Sequence, residues 1–107
     1  MGSPGRHKGA EGRKGRRMKL LMEAQMLVEG TRKKEYGDPS DNFSLIAKRW
    51  EMILGVEIST WQVAAMMIDL KIARLCGPGA GYKRDTAVDI AGYASLMATL
   101  AEGTDGS

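Results

Sequence analysis

Ser59-Thr60-Trp61-Gln62-Val63-Ala64-Ala65-Met66-Met67-Ile68-Asp69-Leu70-Lys71-Ile72-Ala73-Arg74-Leu75 decides how this chain folds. Its first four residues form a capping box, in which Ser59 and Gln62 satisfy each other's backbone N–H groups. From Trp61 to Leu75 the stretch is apolar almost all round, which predicts the innermost helix of a bundle. Cys76-Gly77-Pro78-Gly79-Ala80-Gly81 then stops the helix and opens a flexible turn.

Helical periodicity extends to both sides of this centre. Downstream, a helix is expected from about Asp85 to Ala101, with small residues at Ala87, Ala91, Ala94 and Ala98 and with Gly92 and Ser95 nearby. Such a stripe lets another helix approach closely, within the fold or across a subunit interface. Upstream, Asp38 caps a helix, Pro39 sits where a missing N–H costs nothing, and Asp41 suits the positive helix end. Phe43, Ile46, Ala47, Trp50, Ile53 and Leu54 line its apolar face, and Gly55 ends it. Further upstream, Leu20, Ala24 and Leu27 mark a helix from about Met18 to Glu29, with Gly30 as its expected C-terminal cap. The fold class is therefore all-α: a bundle of about four helices over residues 18–102, with a loose tail at 103–107. Val56-Glu57-Ile58 is at most a short extended link, and no internal repeat is evident.

The formal net charge of +3 conceals a division. Residues 1–17 hold six bases and a single acid, Glu11, whereas the remaining ninety residues carry ten bases and twelve acids. The basicity belongs to an arm rich in Gly, Lys and Arg, too polar to offset its own ordering entropy and so expected to be disordered. Such an arm binds nucleic acid by releasing phosphate counterions. The favoured reading is instead an added leader or an upstream start, with Met18 an equally good first residue, because no aromatic ring is interleaved to stack on bases.

Composition narrows the remaining classes. With 107 residues there is room for one core, and eight Met against few aromatics imply an aliphatic and thioether interior. A single cysteine, Cys76, makes no internal disulfide and fits a reducing cytoplasm. The sole histidine, His7, lies in the arm, so Cys76 reads as a small buried side chain rather than an activated nucleophile. No apolar run approaches the ~20 residues of a membrane helix. Glu23 and Gln25 also interrupt the only stretch resembling a signal peptide. A cytoplasmic protein is expected.

Asp69, Lys71 and Arg74 are the charges in the central helix, where unpaired charge is expensive. If that helix and the last form a hairpin, Lys71 and Arg74 face Asp85 and Asp89, and Tyr93 extends the same polar face. Two readings stay open. In one, the four charges simply neutralise each other, and Thr86-Ala87-Val88-Asp89 is a capping box. In the other, the cations hold a phosphate and the carboxylates a divalent metal. Lys33-Lys34-Glu35-Tyr36-Gly37-Asp38-Pro39 with Asn42 likewise reads either as a helix-start turn or as a nucleotide-pocket loop, with Asn42 on a base or sugar. Trp50 and Trp61 occupy core positions and read as packing.

These residues also carry a resemblance. Tyr36-Gly37-Asp38-Pro39, Asn42-Phe43, Ile46-Ala47, Trp50, Val63-Ala64, Met67, Leu70-Lys71-Ile72-Ala73-Arg74, Asp85 and Val88-Asp89-Ile90-Ala91-Gly92-Tyr93-Ala94 occur in order over about residues 20–100. The series resembles a family of small uncharacterised proteins of tailed phages and prophages. At longer range it is similar to phage nucleotide-modification-associated domains and to the all-α MazG-like nucleoside triphosphate pyrophosphohydrolases. That likeness implies an oligomeric helical bundle in phage nucleotide metabolism, with Lys71, Arg74, Tyr36, Asn42 and Tyr93 toward a nucleotide. It implies Mg²⁺ on Asp85 and Asp89, with Asp69 as a third carboxylate. The family's earlier Glu-x-x-Glu pair has no counterpart, since only Glu51 stands there, beside Lys48 and Arg49. The metal site implied is thus incomplete, and any enzyme would be a Mg-dependent pyrophosphohydrolase. The alternatives are a non-enzymatic phage protein that binds a host protein or sequesters a signalling nucleotide, and nucleic-acid binding through the arm.

Overall fold

Two helix starts form as their sequences dictate. In a computed structural model, which describes residues 4–102, Asp38 accepts a hydrogen bond from the Ser40 backbone N–H at 2.8 Å and caps a helix that has Pro39 in its first turn. The Ser59–Gln62 capping box is complete: the Ser59 N–H donates to Gln62 Oε1 at 2.8 Å and the Gln62 N–H donates to Ser59 Oγ at 3.3 Å. Gly55 ends the earlier helix in the left-handed region, at φ 70°, with its N–H donating to the Glu51 carbonyl.

The elements in order are α1 (Pro4–Met26), a π-helical segment (Leu27–Arg32), a single turn α2 (Lys33–Tyr36), α3 (Pro39–Leu54), α4 (Thr60–Ala73) and α5 (Arg84–Glu102). The fold is all-α, with four main helices and no strand among the described residues. Tail residues 103–107 and the start of the basic arm lie outside the described residues.

The first helix departs from expectation at both ends. Helical backbone runs back to Pro4, through the segment read as an arm. Every residue from Gly12 to Lys19 is exposed, so that length stays off the packed body as an arm would. Arg and Lys favour helix, whereas Gly5, Gly9, Gly12 and Gly15 each cost about 1 kcal/mol relative to Ala in a helix interior. At the other end Gly30 does not cap the helix. The chain widens into the π segment and stops at Gly37, whose φ of 78° only glycine adopts freely.

α4 and α5 form a hairpin, α3 packs on α4, and α1 crosses α5. The core joins Phe43 and Ala47 of α3, Val63 and Ala64 of α4, and Tyr93, Leu96 and Leu100 of α5. Gly92 faces α1: a Cβ there would lie 3.2 Å from Val28 Cγ2 and 3.8 Å from the Ala24 carbonyl oxygen. Gly92, beside the small-residue stripe, is thus used inside the fold, where it brings α1 close to α5. Glu51, half-buried near the end of α3, accepts the Ile58 N–H at 2.8 Å and ties down the link to α4.

α4 is not enclosed, however. Only Val63 and Ala64 are buried on it, while Met66, Leu70 and Ile72 remain exposed and Trp61 is 39% accessible. Trp50 packs against the core as expected; Trp61 does not join it. Too few helices are present to surround α4. Cys76, expected to be buried, is exposed beyond the helix end, where its thiol donates to the Ile72 carbonyl at 3.4 Å.

Candidate functional site

The start of α5 carries most of the organised charge, and two neighbours compete for it. On the α4 side, Lys71 Nζ lies 2.9 Å from Asp89 Oδ2, with both side chains largely shielded from water. On the α1 side, Arg84 pairs with Glu23, and both are about half exposed. The hydrogen bond to Glu23 raises the Arg84 pKa above its already high ordinary value, so the guanidinium is permanently charged.

A groove of about 650 Å³ runs between α1 and α5 beside these pairs, lined by Glu23, Met26, Leu27, Gly30, Asp85, Val88 and Asp89. The π segment forms part of its wall through Leu27 and Gly30. Of its three carboxylates, Glu23 is neutralised by Arg84 and Asp89 by Lys71. Asp85 is exposed and forms no ion pair among the described residues. The lining therefore offers hydrogen-bond acceptors with cations at its edge, and only one uncompensated charge.

A second groove, of about 630 Å³, opens near Arg84. Arg13, Arg16, Arg17, Lys19 and Leu20 of α1 line it with Tyr82 and Arg84, and no carboxylate does.

The residues singled out in the sequence are only partly gathered. Lys71, Asp89 and Asp85 lie at or beside the first groove. Arg74 follows α4 as its C-cap and is exposed, with no ion pair among the described residues. Asp69 is exposed on α4. Asn42 sits in the first turn of α3, its N–H donating to the Asp38 carbonyl at 3.0 Å, and does not line the groove. Tyr93 is not on a polar face: it is 5% exposed in the core, its ring stacked on Phe43 with centroids 6.4 Å apart. The Tyr36 side chain lies outside the described residues. Thr86, read as the start of a capping box, lies within α5 and is buried, because the helix begins at Arg84. Glu23, Tyr82 and Arg84 were missed. Glu23 interrupts the apolar face of the first helix, a signal that it has a partner elsewhere.

Two-metal phosphoryl chemistry needs several converging carboxylates. Among the described residues no three acids, cysteines or histidines are close enough together to hold a metal ion. Asp85, Asp89 and Asp69 thus do not fit such a centre, and Glu51, the remaining acid on α3 after its first turn, is engaged with the Ile58 backbone.

Compared with known proteins, residues 19–101 match a family described as a domain of unknown function, DUF6378. The chain belongs to the DUF6378 family. Its relatives include the Gene 55 protein of Mycobacterium phage D29, 46% identical over 83 residues, which are 78% of this chain and 54% of that protein. The Gene 55 protein of Mycobacterium phage L5 is 44% identical over 81 residues, 75% of this chain and 51% of that one. This DUF6378 chain therefore spans about half the length of the curated relatives it matches. No solved structure matches it. Both grooves draw most of their lining from within the matched residues; only Arg13, Arg16 and Arg17 precede them. No helix among the described residues is long and apolar enough to cross a membrane.

Proposed function

We propose that this DUF6378 chain is a phage accessory protein of nucleotide metabolism, working in the host cytoplasm, that binds a nucleotide without hydrolysing it. The observation that supports this reading is the groove between α1 and α5, where Asp85 stands between two ion pairs. Its volume of about 650 Å³ suits a small ligand. Carboxylates accept the N–H and O–H donors of a base and sugar, while Lys71 and Arg84, paired with the groove's Asp89 and Glu23, are the cations available to a phosphate at the rim. The distant resemblance to MazG-like proteins read from the sequence agrees with a nucleotide pocket that lacks a metal site. Mg²⁺ would enter only with the ligand's own phosphates.

A panel of nucleotides in a thermal-shift assay, with and without Mn²⁺, tests this. At least one nucleotide should raise the midpoint by several degrees, and Asp85→Asn should abolish the rise. No pyrophosphate should be released. If no nucleotide shifts the midpoint, the reading fails; if pyrophosphate appears, the protein is an enzyme after all. A nucleotide that stabilises without turnover also fits sequestration of a signalling nucleotide.

A second reading concerns the other side of the molecule. Met52 and Ile53 on α3 are 82% and 78% exposed, and Leu45, Leu54, Met66 and Leu70 are exposed as well. Bare apolar side chains of this number mark a protein contact. Self-association through α3 and α4 accounts for them and for the oligomer expected from the sequence. Sedimentation equilibrium should give a dimer or larger species, reduced to monomer by Met52→Glu/Ile53→Glu. A wild-type monomer at every concentration would assign this face to a host protein instead.

A further inference from the structure

We infer that the basic groove between α1 and the α4–α5 loop is a binding site for a single-stranded nucleic acid, separate from the nucleotide groove. Arg13, Arg16 and Arg17 recur at helical spacing and project from one side of α1. Lys19 adds a further positive charge to the same groove, and Arg84, held by Glu23, stands at its side. Arg84 is paired with Glu23, which lines the other groove, whereas Arg13, Arg16, Arg17 and Lys19 form no ion pair among the described residues. The protein thus holds a concentrated positive surface although residues 18–107 carry a small net negative charge.

Tyr82 distinguishes this site from a merely cationic one. The arm has no aromatic residue of its own. Folding brings Tyr82 beside it from the loop that precedes α5, and its side chain is left 75% exposed. A ring held in water next to a row of guanidinium groups suits a ligand that alternates anionic links with flat faces. Single-stranded nucleic acid has that construction: phosphates bind the cations and a base stacks on the ring. Arg13 and Arg17 are about 6 Å apart along the helix axis, on the order of the step between neighbouring phosphates of a single strand. A duplex hides the faces of its bases, so it loses the contribution of Tyr82 while keeping that of the cations.

Fluorescence anisotropy of a labelled mixed-sequence single-stranded DNA 20-mer with the full chain tests the assignment. If four phosphates are engaged, raising salt from 50 to 200 mM should weaken binding about 50-fold. Arg13→Gln/Arg16→Gln/Arg17→Gln should flatten that salt dependence. Tyr82→Ala should weaken binding about 10-fold at every salt concentration and leave the slope alone, with Tyr82→Phe restoring affinity. Because all four positions are exposed, unchanged helicity by circular dichroism shows that the variants fold. Asp85→Asn should leave DNA binding intact, so failure of the nucleotide reading and failure of this one are separately visible. The inference is overturned if the 20-mer does not bind, if Tyr82→Ala binds as well as wild type, or if a duplex or polyglutamate of equal charge competes as effectively.

Discussion

The two sides of α5 are built on different principles. Toward α3 and α4 it presents Tyr93, Leu96 and Leu100, which close over Phe43, Val63 and Ala64. Toward α1 it presents Gly92, set against the Val28 side chain and the Ala24 carbonyl oxygen, and grooves open at the start of the helix. One side is sealed by side-chain volume. The other is a close approach at small residues, with Ala24 buried and Val28 reaching the same core, flanked by open space. Buried apolar area stabilises the first, so the hairpin with α3 is the part that can fold around a single core. The second side is where ligands can enter, because its helices touch without filling the angle between them.

This difference is open to direct attack. Tyr93→Ala should have the largest effect, removing a core ring and its stack on Phe43 at a cost of about 3 kcal/mol. Chemical denaturation would measure that cost, and the thermal midpoint should fall by at least about 12 °C. Gly92→Leu should cost about 2 kcal/mol through overpacking against Val28. Its signature is selective, however: limited proteolysis should release α1 while α3–α5 stays protected. If α1 and the hairpin are lost together, the two sides are one cooperative unit.

The ion pairs supply the finer comparison. In a double-mutant cycle of Lys71→Met and Asp89→Asn, the coupling should be about 1 kcal/mol, as for a hydrogen bond partly shielded from water. Arg84→Ala should leave the thermal midpoint unchanged, because the Arg84–Glu23 pair is open to solvent. Arg84 should instead reveal itself in ligand affinity. A midpoint loss for Arg84→Ala equal to that for Lys71→Met would erase the distinction.

The sequence was most legible where residues close in the chain decide the outcome. Asp38, Gly55 and the Ser59–Gln62 box each act within a turn of their own position, and each occurs as read. Gly30 was read as the end of the first helix, but the chain continues through a widened turn that no residue pattern announces and stops at Gly37. Tyr93 was misread because it follows Asp89 by four and so shares its side of the helix. That shared side nevertheless runs from the open end of the hairpin into its core, so depth changed while direction did not. Trp61 shows the converse: an apolar position identifies a surface that avoids water without naming what covers it. Glu23 and Arg84 meet only through the tertiary fold: the break in the apolar face at Glu23 signals a partner, and no local spacing says which.

The π segment has one more consequence. A wide turn takes up an additional residue without interrupting the rod, so Leu27–Arg32 acts as slack in the winding between Glu23 and α2. Deleting one residue from this stretch would restore regular pitch and leave the residues on either side near their present azimuth, whereas the same deletion in a regular turn of α1 would swing everything beyond it by about 100°. Val28 would still oppose Gly92, and Leu27 would still face the neighbouring opening. That slack therefore lets one helix serve as clasp and wall together while the chain beyond it keeps its bearing.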